Sequence, residues 1–393
     1  MIPLVTRHGL GRLVAGAVAV SAVGFFWAAS SSAPPLAMEG PSNPAQNILP
    51  SPNFLSSGPC SGSPGSYACT NPCVSTTLTW PVLTNDVTCT NYVLEAINNA
   101  RTRENLAPMV LPSNWASLST AQQMLVVTDL ERIARGYPPY LGLNAKLSHE
   151  AMLAALTNND PYLAKGFAVG FNALGTAGFG ASWSGGYSVL ASDYIMIYDD
   201  GWGGSRAATS NIDCTSASDR GCWAHRDELL GNAPHFNAGV GLWCDTCEFG
   251  AAYALVRGQS SFAQLVELPA GAPPPLTFTW QSEVGDFPAG ALGAVKTVSL
   301  ARVSFLGSTL RAQWSVTGAQ DVSYVALYAF AGTSCAHVGA VASYRYVATF
   351  NIRRSTVTMS SSLFGRRGRF SAVVRVFTPS GPMTSRCLVM GNN

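Results

Sequence analysis

The side chains able to do chemistry crowd into residues 214–258 of a 393-residue chain. Four of its ten cysteines stand there: Cys214, Cys222, Cys244 and Cys247. So do two of its five histidines, one of them in Cys222-Trp223-Ala224-His225-Arg226. Just upstream is an acidic turn, Asp199-Asp200-Gly201-Trp202. An imidazole titrates near neutral pH, and a carboxylate can fix its tautomer. His225 with Asp199 or Asp200 is therefore a candidate acid–base pair. Hydrolysis also needs a nucleophile or activated water, and a donor for the oxyanion. The chain has no Gly-x-Ser-x-Gly elbow, and no Ser or Cys stands out as a nucleophile. A structural or ligand-holding role for His225 is the simpler expectation, its ring bonded to backbone or to Asp199/Asp200.

Cys244-x-x-Cys247 has three readings. It is a redox motif, part of a four-thiolate zinc site with Cys214 and Cys222, or a disulfide element. An even number of cysteines fits an exported, oxidised chain, which favours disulfides. The cysteines fall into even groups: Cys60, Cys69, Cys73 and Cys89; Cys214, Cys222, Cys244 and Cys247; Cys335 and Cys387. Pairing within groups is the simplest arrangement, with Cys335 to Cys387 in the last; connectivity inside a group of four stays open.

Periodicity predicts the elements that position these residues. Phe236, Ala238, Val240 and Leu242 alternate with polar or small residues, as do Phe249, Ala251, Tyr253 and Leu255. Such period-2 runs read as half-buried strands, and the Cys-x-x-Cys between them as a hairpin connection. Leu94, Ile97, Asn98 and Arg101 predict a helix from about Tyr92 to Asn105, with Asn91 as its cap. Ser119-Thr-Ala-Gln122 is a capping box for a second helix, burying Val126, Leu130 and Ile133 and ending at Gly136 and Pro138. Glu131, Arg132 and Arg135 near its end are solvated charges or a buried ion pair. Ser148 is the expected cap of a third helix. A fourth covers about Ser188 to Tyr198. The glycine-rich run 165–186 lacks a following Gly-Lys-Ser/Thr and reads as a loop rather than a phosphate cradle.

Two of these motifs together resemble a known family. Gly-Cys-Trp-Ala-His225-Arg226-x-x-Leu229-Leu230, followed by Phe236-x-x-Gly-Val-Gly, is similar to a signature of the bacterial CAP superfamily (cysteine-rich secretory, antigen 5, pathogenesis-related). That signature is Gly-His-Arg-x-Asn-Ile-Leu, with Glu228 here in place of the Asn. The family also opens on a helix with Asn-x-x-Arg, then Leu-x-Pro-Leu-x-Trp. Here Asn98-Asn-Ala-Arg101, Leu106-Ala-Pro108, Leu111 and Trp115 follow in the same order. The resemblance covers about the middle two-fifths of the chain and implies an α-β-α sandwich. A typical member lines a cleft with two His and two acids that can hold a divalent metal. His225 matches the second His. The place of the first reads Gly136-Tyr-Pro-Pro-Tyr140, and Ser184-Gly185-Gly186 stands where Gly-Glu-Asn belongs. Asp193, Asp199 or Asp200 would have to supply the other acid. With that ligand set incomplete, no cofactor is expected. The candidate catalytic residues are His225, Asp199 and Asp200. Arg226, Trp202, Trp223, Asn98, Arg101 and Glu131 are candidate binding residues.

Composition bounds the rest. Only 11% of residues are charged and the formal net charge is +2. Arg7, His8 and Arg12 precede an apolar run from Leu13 to Ala29, then small residues and prolines. This is the layout of a secretory leader, or of an uncleaved anchor. From residue 276 onward eleven Lys and Arg face three acids, a net +8. Screened long-range attraction would draw such a surface to anionic envelope polymers or lipid head groups. In an exported protein, nucleic acid is not an expected partner.

The expected fold is α/β: a CAP-like α-β-α sandwich followed by an all-β sandwich resembling fibronectin type III or immunoglobulin modules. The expected boundaries are a signal peptide or anchor at 1–37 and a Pro/Ser/Cys-containing linker at 38–89. The CAP-like domain spans 90–260, a Pro-rich hinge 261–275 and the β-sandwich 276–393. The expected function is a secreted or cell-envelope-associated protein that binds a cell-wall polymer, lipid or surface protein without turning it over. Membrane contact would come only through the N-terminal segment or the basic C-terminal domain. The alternatives are a hydrolase of envelope material using His225 with Asp199/Asp200, and a structural adhesion module.

Overall fold

The computed structural model describes residues 43–56, 60–61, 68–73, 86–135, 137, 139–162, 179–186, 188–203, 211–230, 247–267, 275–292, 297–306, 309–317, 324–331, 345–351, 356–360, 369–378 and 381–391. The expected leader, the 236–242 strand, most of the glycine-rich run, Cys244 and Cys335 lie outside these residues.

Short strands β1 (Cys60–Ser61) and β2 (Ala68–Cys69) pair antiparallel. Helix α1 (Val87–Arg103) starts earlier than its apolar stripe predicts. Its cap is Asp86 rather than Asn91: the carboxylate accepts from Thr88 N at 2.8 Å and Cys89 N at 3.1 Å, two first-turn amides with no partner inside the helix. The disulfide Cys73–Cys89 ties this turn to the preceding segment. Helix α2 (Thr120–Ala134) begins at the expected capping box of Ser119 and Gln122. Strand β3 (Gly142–Leu143) leads into α3 (Ala145–Ala155). Its cap is Asn144, which accepts from Lys146 N and Leu147 N, rather than Ser148. The end of the glycine-rich run is not a loop but strand β4 (Phe179–Ser184), in register with the last long strand of this region. Then come α4 (Val189–Tyr198), capped by Ser188, α5 (Ala224–Leu230), β5 (Glu248–Val256) and β6 (Gln259–Glu267).

The alternating run Phe249–Leu255 forms β5, and β6 is its hairpin partner through the two-residue turn Arg257-Gly258. Both turn residues have positive φ, 51° and 79°, which fits a turn whose twist matches the strands. Alternation then sorts β5 between two layers. Phe249 and Ala251 face the core built on α1, α2 and α4. Ala252 and Ala254 meet Ala151, Ala154 and Ala155 of α3. Small residues are needed there: a Cβ on Gly250 would come within 2.2 Å of the Leu147 backbone. The sheet therefore carries helices on both faces, and the protein is a mixed α/β structure.

Three boundaries differ from expectation. Strand β6 runs to Glu267, so residues 261–267, read as the start of the hinge, belong to the first sheet. Residues 43–56, read as spacer, belong to the fold. Phe54 is fully buried against Tyr194, Ile48 N donates to Tyr198 O, and Tyr194 OH donates to Ile48 O. The segment is sparsely apolar, but two anchors and paired backbone groups hold it. Residues 276–280, placed at the start of the expected β-sandwich, instead complete the first sheet. Strand β7 (Phe278–Thr279) pairs with β3, and the order is β4-β6-β5-β3-β7. Trp280 opens α6 (Trp280–Glu283) and is buried in the helical core.

Beyond this, β8 (Thr297–Leu306), β9 (Thr309–Thr317) and β12 (Thr356–Ser360) make a three-stranded antiparallel sheet. Strands β10 (Tyr324–Ala331), β11 (Arg345–Asn351), β13 (Arg369–Thr378) and β14 (Gly381–Thr384) make a second, with β15 (Leu388–Gly391) also on β13. Strand β8 packs against β13, β14 and β15. Among the described residues no cysteine is free, and no helix is long and apolar enough to cross a membrane. Disulfides of this kind persist in oxidising compartments.

Candidate functional site

The site is built where the Asp199-Asp200 turn meets the start of α5. Trp223 immediately precedes α5 with φ 63°, a left-handed conformation that costs a bulky residue roughly 1–2 kcal/mol. Its surroundings hold it there. Trp223 N donates to Asp200 O at 2.9 Å, and its indole lies where a Cβ on Gly201 would stand. The disulfide Cys214–Cys222 closes the loop just before it. Asn211 Nδ2 lies within 2.9 Å of Asp200 O, Asp200 Oδ1 and Gly221 O, tying that loop to the acidic turn.

This framework places His225 between two carboxylates. Its Nδ1 lies 2.7 Å from Asp200 Oδ1, and its Nε2 3.7 Å from Asp160 Oδ1. Asp200 Oδ2 accepts from Arg226 N at 3.1 Å. Burial opposes charge on the imidazole, but Asp160 and Asp200 outweigh it and hold the pKa well above the usual value. Burial raises the Asp200 carboxyl, and the His225 hydrogen bond works against that rise. We take the pair as ionised, because Asp200 accepts hydrogen bonds at both oxygens and His225 has a carboxylate at each nitrogen.

Glu228 stands three residues after His225, on the same face of α5. Its Oε2 accepts from Ala181 N of β4 at 3.1 Å. Burial pushes its carboxyl up to about 8, with the His225 charge pulling the other way. At neutral pH it is mostly a neutral acid beside an imidazolium. Asp160 is half exposed, so this group opens to solvent on that side.

Sequence reasoning found His225 and Asp200 and missed Asp160 and the chemistry of Glu228. Asp160 lies 65 positions before His225 in a polar stretch, with no motif to mark it. Glu228 was visible as the residue in place of the family's Asn. Between the two candidate aspartates, Asp200 reaches the imidazole. Asp199 is buried at the C-cap of α4, where its charge acts on Tyr194.

Four candidate binding residues have internal work instead. Arg226 makes a two-pronged ion pair with Glu104, at 2.9 and 2.8 Å, and also donates to Ile197 O. Glu104 accepts as well from Arg135 Nη2 at 2.9 Å. Arg135 pairs with Glu131, which receives Tyr198 OH at 2.9 Å and faces Arg101 at 3.7 Å. Burial raises the Glu104 carboxyl, but Arg135 and Arg226 outweigh it and hold it below the usual range. Arg101, Glu131 and Arg226 are buried, so no ligand reaches them without breaking this network. Asn98 spends its amide on the backbone of Met109, accepting from N at 2.6 Å. Trp223 is buried as well, while Trp202 packs beside it and the Cys214–Cys222 bridge, partly exposed.

Among the described residues, the ligand set of the family that the sequence resembles is not brought together. Tyr140 fills the place of the first His region, and its hydroxyl accepts from Arg132 Nη1 at 2.9 Å and donates to Leu229 O at 2.8 Å. Among the described residues no three His, Cys, Asp or Glu side chains converge on one point.

No family model matches the chain. No curated protein matches it either. Solved structures show partial likeness only. A pectate lyase from Pectobacterium carotovorum is 15% identical over 24% of this chain and 27% of that one, with a TM-score of 0.20. The chicken CNTN1 FN1-FN3 domains are 15% identical over 25% and 33%, also at 0.20. A beta-1,2-glucanase from Parabacteroides distasonis is 11% identical over 35% and 16%, again at 0.20. The chain thus spans at most a third of the length of these three chains. Likeness at this level carries neither fold nor activity across.

Proposed function

We propose that this chain is an exported CAP-like binding protein whose His225 group holds a polar ligand rather than cleaving one. One observation carries the reading: both ring nitrogens of His225 face carboxylates, Asp200 at 2.7 Å and Asp160 at 3.7 Å. An imidazolium held in this way has no lone pair with which to take a proton. The half-exposed Asp160 carboxylate, steadied by this imidazolium, and the neutral Glu228 carboxyl offer hydrogen bonds to the hydroxyls or amides of a glycan, lipid head group or protein partner. The disulfides agree with an extracellular or envelope address. The CAP reading draws support from the buried ion network, which joins the Asn98–Arg101 motif to the His225–Arg226 motif through Glu131, Arg135 and Glu104. On this reading the sheet with helices on both faces is the CAP-like sandwich. The two C-terminal sheets are a fibronectin- or immunoglobulin-like sandwich.

The test is native mass spectrometry of the exported protein, with incubation on purified cell-wall sacculi. A co-purifying glycan or lipid mass, lost in His225→Ala and Glu228→Ala, with no released wall fragments, is the expected result. A second reading, a wall hydrolase, is favoured by the neutral Glu228 beside His225, a carboxyl with a proton to donate. Fragment release by the wild type, abolished in folded His225→Ala, would establish it and overturn the first.

A further inference from the structure

The charge of this chain is split. Residues 297–393 contain ten arginines and a single acid, Asp321, a net +9. The whole chain is +2, so residues 1–296 carry −7. Strand register shows where part of the positive charge is displayed. In the sheet β12-β9-β8, Ala312 and Trp314 point inward and are buried. Their neighbours Arg311, Gln313 and Ser315 are exposed on the opposite face. Ser299 pairs with Ser315, and their hydroxyls hydrogen-bond at 2.7 Å. Simple alternation from Ser299 would send residue 302 inward. The register shifts between Leu300 and Arg302, so Ala301 is an extra residue. This bulge resets the alternation: Arg302 pairs with Gln313 and is exposed. Arg311 pairs with Ser304, so the two arginines are diagonal neighbours on one face, about 7–8 Å apart. Neither has an ion-pair partner among the described residues.

We infer that the outer face of β8 and β9 binds a uronic-acid polysaccharide, with Arg302 and Arg311 each gripping a carboxylate. Guanidinium forks match carboxylates with two parallel hydrogen bonds. The exposed Ser299, Gln313 and Ser315 beside them supply donors and acceptors for sugar hydroxyls. The exposed face of a sheet can accept an extended chain along its strands. Single-stranded nucleic acid would want aromatic platforms, and no described exposed residue on this face is aromatic. The inference does not depend on the role of His225.

The test uses the full exported protein and biolayer interferometry on immobilised polygalacturonate, its fully methyl-esterified form and single-stranded DNA. Binding to polygalacturonate at least tenfold tighter than to the ester or to DNA is expected, weakening in 0.5 M salt. Arg302→Ser/Arg311→Ser should lose at least tenfold with an unchanged thermal midpoint. Arg103→Ser/Arg220→Ser removes the same charge from exposed sites elsewhere and should stay within twofold. Equal binding to the ester, tighter binding to DNA, or equal losses in both double variants would each overturn the inference.

Discussion

Asp200 uses both carboxylate oxygens on consecutive residues: Oδ1 meets Nδ1 of His225 at 2.7 Å, and Oδ2 accepts the backbone N–H of Arg226 at 3.1 Å. One side chain thus sets both the charge of the imidazole and the start of α5. The folded imidazole titrates above its unfolded value. Its stabilising proton is fully present below about pH 6.5 and is lost as pH rises through the folded pKa. In Asp200→Asn the His225 midpoint, followed by NMR of the ring protons, should fall by at least one unit, about 1.4 kcal/mol of lost stabilisation at acid pH. An unchanged midpoint would mean that Asp160 alone holds the charge.

Glu228 has the opposite sign. Its carboxyl is raised to about 8, whereas an unfolded Glu ionises near 4.3. As pH climbs between these values the unfolded chain gives up its proton first, so the fold loses stability across that window. Glu228→Gln keeps an acceptor for Ala181 N–H and abolishes this loss. It should stabilise by up to about 4–5 kcal/mol at pH 8 and leave pH 4 nearly unchanged. Denaturant melts of both proteins at pH 4, 6 and 8 measure the difference, and parallel curves would contradict the assignment.

Glu104 and Arg226 are 122 positions apart and form a two-pronged pair beneath the His225 turn. Leaving one buried charge without its partner typically costs 3–5 kcal/mol. Glu104→Gln and Arg226→Met should each fall in that range. The double variant should recover at least 1 kcal/mol relative to their sum. Additive losses in a double-mutant cycle would show that the two side chains act independently.

How much of this was legible depends on whether the signal is local. The capping box of Ser119 and Gln122 is written within four residues, and the structure has it. The start of α4 at Ser188 is equally local. Asn91 and Ser148 were plausible caps, but Asp86 and Asn144 hold those positions, because a cap is decided by which residue leaves helical φ/ψ and not by type alone. The His225–Asp200 pair was legible because 25 residues rich in turns and cysteines bring them back together. Asp160 reaches the site only through the tertiary fold. Arg101 and Arg226 are candidate binding residues because they stand in the motifs that resemble the family, and Glu131 is named with them. The scarcity of charge in this chain fits what the structure has there, a buried network in which these charges pair with one another.

Residues 43–56 carry the last prediction. Their composition reads as spacer, yet Phe54 is fully buried and its ring meets Tyr194 edge-on at 5.1 Å. Asn43 then reaches α5 itself, accepting from Arg226 Nε at 3.2 Å and donating to Asp227 Oδ1 at 3.0 Å. Phe54→Ala leaves a ring-sized cavity beside α4 and should cost about 3–5 kcal/mol. Asn43→Ala removes hydrogen bonds to two charged side chains, each worth about 1.5–3 kcal/mol, and should loosen the helix that bears His225 and Glu228. Amide exchange separates the effects: Phe54→Ala should speed exchange in α4 and α5 together, and Asn43→Ala chiefly in α5. If neither variant changes stability or exchange, the segment is a passive tether after all, and the His225 turn is held by Asp200, Asn211 and the Cys214–Cys222 bridge alone.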